Sequence, residues 1–182
     1  MQALELQNPQ YSALQSGHVF QCIDGHTCGN PVRLVLAGGP SLEGATIAEM
    51  RLDFLNRFDW IRTSLMFEPR GHDLMSGSIL YPPHDSNNDF SVLFLETSGC
   101  LPMCGHGLIG TITMVIQEKL ITPKTQGFLK IETPAGLIQA TYLEENSKVQ
   151  SVRILNVPSF LFRTDISVFI SGLGEVILDV AY

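Results

Sequence analysis

The sequence predicts a mixed α/β fold of the α+β kind, built on a mostly antiparallel sheet with few helices. Three observations predict it. Strand-like segments separated by turn residues come in neighbouring pairs, two stretches switch to a helical period, and everything beyond Pro123 reads as strand and turn.

The first 17 residues are polar and without period, and read as a leader. HVFQCID (18–24) and VRLVLAG (32–38) are rich in β-branched residues and flank the turn-prone GHTCGNP, which predicts an antiparallel pair ended by Gly38, Gly39 and Pro40. From Thr46 the period becomes helical. Ile47, Met50, Leu52, Phe54, Leu55 and Phe58 form a buried stripe, with Thr46 and Glu49 placed as a capping box. Asp59 is placed to cap a second short helix bearing Trp60, Ile61, Leu65 and Met66, and Glu68-Pro69 stops it, because a residue before proline avoids the helical region.

After the polar loop EPRGHDLM, the segments SGSILYP (76–82) and DFSVLFLET (89–97) predict a hairpin across PHDSNN. SGCLPMC reads as a loop leading into GHGLIGTITMVIQEK, a helix apolar over most of its circumference and therefore buried. FLKIET, LIQATYL, VQSVRIL, VFI and EVILDVAY are strands, the earlier ones joined by TPAG and EENSK, with a second sheet beginning near Asn156. The sequence stops inside EVILDVAY with no turn or cap, which predicts a continuation, because an apolar strand edge is normally covered.

Composition narrows the chemistry. With 18 acidic against 11 basic residues there is no field to attract nucleic acid or an anionic membrane surface. The N-terminus has no signal-peptide pattern and no apolar run reaches bilayer length, which predicts a cytoplasmic protein. Cys22, Cys28, Cys100 and Cys104 are too few and too unevenly spaced for a disulfide framework, so they read as thiols.

Cys104 carries the sharpest hypothesis. At the start of a buried helix, free amides and the helix dipole favour negative charge and lower a thiol pKa. The amides of Gly105, His106 and Gly107 are placed to bind a carboxylate, so one segment offers a base and an anion site, as proton abstraction beside a carboxylate requires. The plainer reading is a small buried residue.

Two rival chemistries use nearby residues. Gly105, Gly107 and Gly110 match G-x-G-x-x-G, with Glu132 about twenty residues on, as in a dinucleotide site; the loop before the first glycine and the hairpins that follow argue against it. Zinc would need Cys22, His26 and Cys28, or Cys100, Cys104 and His106, and neither spacing is a familiar knuckle. His26 and His72 read as loop anchors, and Glu68 and Arg70 as braces of their loop.

Four blocks together carry a resemblance: IDGHTCGNPVRLV (23–35), DWIRTSLMFEPRGHDLMSGSILYP (59–82), SGCLPMCGHGLIG (98–110) and IETPAG (131–136). In order and spacing the chain resembles the proline racemase family, most closely its 4-hydroxyproline 2-epimerase branch, from about Cys22 to Tyr182. The resemblance implies a diaminopimelate-epimerase-like half, a sheet wrapped around a central helix. Residues 18–182 would be the N-terminal half of a two-domain enzyme, with the last strands, from about residue 156, leading into the second domain.

It also implies a catalytic role for Cys104, substrate-carboxylate contacts from Gly105 and His106, and no cofactor or metal. The substrate would be hydroxyproline or a proline-like amino acid, and a second cysteine would come from the other half. A threonine at that second position would imply a trans-3-hydroxyproline dehydratase, and proline racemase is a further alternative. A homodimer, or pairing with the C-terminal half, is the implied assembly. A different class also stays open: a non-catalytic relic or split-protein binding module.

Overall fold

The computed structural model describes residues 19–181, so the leader expected over residues 1–17 lies outside the described residues. β1 (Gln21–Thr27) and β2 (Asn30–Ala37) form the expected antiparallel pair, turning at Cys28 and Gly29, which both take positive φ. β2 continues in parallel to β3 (Ser76–Tyr81), and β3 pairs antiparallel with β4 (Phe90–Glu96).

α1 (Ile47–Arg57) and α2 (Asp59–Met66) connect β2 to β3. Thr46 caps α1 by accepting the Glu49 amide, while the Glu49 carboxylate accepts from Ala45, one residue before the box expected. Leu52 is exposed, because it lies off the i, i+3, i+7 face that buries Ile47, Met50 and Phe54. Asp59 is the first residue of α2 rather than its cap. It pairs instead with Arg62, whose guanidinium also donates to the carbonyls of Glu96 and Thr97.

The segment read as a loop after β4 contains a third, short partner, β5 (Gly99–Leu101), antiparallel to β4. α3 (Gly105–Gln117) follows, then β6 (Phe128–Thr133), β7 (Gly136–Glu145) and β8 (Lys148–Leu155). β6 runs parallel to β4, giving the order β1-β2-β3-β4-β6-β7-β8 with β5 beside β4. β9 (Leu161–Ile170) and β10 (Gly174–Ala181) form a separate two-stranded sheet whose side chains are largely exposed.

α3 packs against β1, β2 and β3 and also against β8, which lies at the opposite end of the strand order. The sheet must therefore curl around it. Leu108, Ile112 and Val115 of α3 join Val32, Leu34, Phe94, Ile131 and Ile138 in one core; α1 and α2 close a second core on the other face with Met50, Phe54, Ile61, Ile79, Tyr81 and Leu93. Covered on both sides, β3 is buried throughout and β4 nearly so, which is why they read as continuous apolar runs. Among the described residues no helix is long and apolar enough to cross a membrane.

Candidate active site

Strand register builds the site. Ser76 on β3 stands opposite Glu96 on β4, and β5 folds the chain back so that Glu96 pairs with Gly99. Three residues after β5, Cys104 becomes the N-cap of α3 with extended backbone, φ −138° and ψ 110°. The fold-back puts its sulfur over the Ser76–Glu96 pair. The Cys104 thiol donates to Glu96 Oε1 at 3.0 Å, lies 3.7 Å from Ser76 Oγ and stands 3.5 Å from His106 Nδ1; Ser76 Oγ donates to the same Glu96 oxygen at 3.3 Å.

Neighbouring elements hold this corner. Thr27, at the end of β1, donates through its hydroxyl to the His106 carbonyl at 2.9 Å. Thr111, one turn further along α3, donates to the Gly107 carbonyl and shares a 2.7 Å hydrogen bond with Ser78. Gly107 is required by space: a Cβ there would lie 2.9 Å from the Cys104 sulfur and 3.2 Å from Ser76 Oγ. At Gly105 the nearest atom to such a Cβ is 4.0 Å away.

The electrostatics depart from the expectation for a cysteine at a helix start. Burial, with Cys104 only 6% exposed, and then the Glu96 carboxylate accepting its proton, push the thiol up to about 11. The Gly107 amide and the Ser76 hydroxyl pull it down without prevailing. Desolvation and the carboxylate thus outweigh the donors at the helix start, and the thiol sits above its ordinary range.

Among the described residues no side-chain capping bond is made at the start of α3, whose first turn holds no acidic residue and whose Gly105 is exposed. His106 is half-buried and its Nε2 is enclosed without a partner. The three residues singled out by sequence, Cys104, Gly105 and His106, thus share one corner. Glu96 and Ser76 were not foreseen; the one cue was Ser98-Gly99, a turn signal able to fold Glu96 back onto the cysteine.

The rival chemistries do not assemble. Among the described residues the one group of three thiol, imidazole or carboxylate donors within 4.8 Å is Glu96, Cys104 and His106, so neither cysteine–histidine set forms. Cys100 packs in the opposite core from Cys104, and burial pushes it up to about 12. The trio that does assemble is one carboxylate, one thiol and one imidazole, with the thiol donating to the carboxylate.

Glu132 serves no ribose either. It accepts from the amides of His84 and Asp85 and from the side chains of Asn88 and Ser91, tying down the loop between β3 and β4. His26 and His72 each accept a nearby backbone amide, as loop anchors do, and Arg70 donates to the Ser64 carbonyl.

A family model described as proline racemase matches residues 22–182. The chain belongs to the proline racemase family. Within curated members of that family it is 63% identical over 165 residues to a probable 4-hydroxyproline 2-epimerase of Rhizobium meliloti (strain 1021), covering 91% of this chain and 50% of the relative. It is 61% identical over the same length to a 4-hydroxyproline 2-epimerase of Paracoccus denitrificans, covering 91% and 49%. A crystal structure of a hydroxyproline epimerase from Agrobacterium vitis, with bound trans-4-hydroxy-L-proline, superposes with a TM-score of 0.75 at 28% identity, covering 90% of this chain and 48% of that one. The curled sheet around α3 is thus the fold that the resemblance implied. The chain spans about half the length of the curated relatives it matches.

Proposed function

We propose that the whole protein is a 4-hydroxyproline 2-epimerase, interconverting trans-4-hydroxy-L-proline and cis-4-hydroxy-D-proline by thiol acid–base chemistry without a cofactor. The observation that carries this is the Cys104 thiol at the uncapped, glycine-lined start of a buried helix. The names of the similar proteins supply the substrate. The substrate carboxylate would meet the first amides of α3, at Gly105 and His106, where the helix dipole favours negative charge.

As the α C–H bond breaks, charge grows on the carboxylate oxygens, and fixed N–H donors stabilise it more in the transition state than in the ground state. A base on the far face takes the α-proton. Cys104, starting protonated, delivers its own to the opposite face of Cα, and the S–H bond breaks as the new C–H bond forms. In the reverse direction the sulfur left behind accepts a proton. On this reading the far-face thiol and the other wall of the cleft would come from the length of the relatives that this chain does not span. We place the protein in the cytoplasm, where thiols stay reduced.

Replacing Cys104 by serine in the full-length enzyme should lower kcat/KM at least about 100-fold. The 182-residue chain alone should leave the optical rotation of trans-4-hydroxy-L-proline unchanged, because a solvent-open half-site lacks the second proton carrier. Full activity in C104S, or turnover by the single chain, would overturn the proposal.

A further inference from the structure

The mechanism uses the Cys104 sulfur but leaves its nearest polar neighbour unexplained. Glu96 Oε1 lies 3.0 Å from that sulfur, and two donors converge on the same oxygen, the thiol and the Ser76 hydroxyl. The carboxylate is itself located by structure on both sides. Its residue is registered against Ser76 and Gly99 in the sheet, and its carbonyl accepts from Arg62 of α2.

We infer that Glu96 is the proton partner of Cys104, a positioning residue that fixes the direction of the S–H bond and holds the proton on sulfur until substrate takes it. For turnover this rests on the role proposed for Cys104; for the thiol's resting state it stands independently. Among the described residues the titratable groups in contact with the sulfur are Glu96 from β4 and His106 from α3. β3 contributes the neutral Ser76, and the guanidinium of Arg62 meets Glu96 at its backbone carbonyl while pairing with Asp59.

The physics follows from like charge. Once Cys104 has given its proton to Cα, a thiolate would stand beside a carboxylate with one mobile proton missing between them, an arrangement that raises the energy of the charged sulfur. A thiolate so placed is a stronger base when the reverse reaction asks it to remove the α-proton, and it regains a proton readily. His106 sits further from the sulfur, at 3.5 Å. Ser76 works the other way, since its hydroxyl can donate to a thiolate and ease its formation.

The test is a pH titration of the 182-residue chain with cysteines labelled at 13Cβ and glutamates at the carboxyl carbon, Cys104 being assigned by its loss in C104S. In the wild type, Cys104 should remain a thiol through pH 9. Glu96→Gln should move its midpoint down by about one pH unit, giving about tenfold more thiolate at a given pH. Glu96→Asp should restore part of the difference, and Ser76→Ala should move the midpoint up. A wild-type readout needs no variant: the Glu96 carboxyl carbon should show an inflection where Cys104 titrates, as coupled groups do.

An unchanged or higher midpoint in E96Q, or a Glu96 signal blind to Cys104 in the wild type, overturns the inference. Neither result bears on whether C104S abolishes epimerisation in the full-length enzyme.

Discussion

Two glycines two residues apart, Gly105 and Gly107, and one carboxylate decide most at the residue scale. Gly107 faces the sulfur with no room for a methyl group, so Gly107→Ala should destabilise the chain by about 1–3 kcal/mol in urea denaturation. Gly105 has that room, and Gly105→Ala should change stability by less than about 0.5 kcal/mol while raising KM in the full-length enzyme, because the methyl group stands where the carboxylate would approach. Glu132 is the other instructive residue. Burial alone would raise its pKa, but four donors outweigh that and hold it at about 2, down from 4.5. A lowered carboxylate stabilises the fold above its ordinary pKa, so this contribution is complete above about pH 5 and drains away as pH falls from 4.5 toward 2. Glu132→Gln should cost about 2 kcal/mol at pH 7 and progressively less below pH 4, as followed by urea midpoints. Cys104 itself was legible as a residue from its place before a buried helix. Its protonation was not, because burial and the carboxylate eight residues upstream are properties of the folded corner.

At the scale of elements, the hairpins β1–β2, β3–β4, β6–β7 and β7–β8 were legible because alternating or continuous apolar runs met turn residues such as Asn146 and Ser147, which take positive φ. α1 was legible from its cap. Thr46→Ala should therefore lower stability by about 1 kcal/mol, measured by thermal unfolding, with little change in the near-ultraviolet signal of the core. The element that escaped was β5, since three residues with Pro102 just after them carry no periodicity, and what makes them a strand is the unpaired edge of β4 beside them. That omission hid the geometry of the Cys104 corner, because β5 is what returns the chain to Glu96. The cap of α2 was misread for a related reason: the Asp59 carboxylate is drawn to Arg62, and a charged pair in reach outcompetes a cap.

At the scale of the whole molecule, the parallel pairings β2–β3 and β4–β6 join distant segments, and no local pattern encodes them. The curl follows from α3, an apolar cylinder that a flat sheet would leave half wet. Protection should follow the same order: amides of β3, β4 and β6 should exchange with deuterium orders of magnitude more slowly than those of β9 and β10, whose side chains are mostly exposed. One more consequence lies in the two cores. The sheet acts as a septum, with Cys100 on one side and Cys104 on the other only four residues later. Repacking behind it, at Met50 or Ile61 for instance, should be additive with changes around Leu108 to within about 0.5 kcal/mol. The chamber behind the septum is thus a place where thermal robustness could be engineered while the Cys104 corner in front keeps its arrangement.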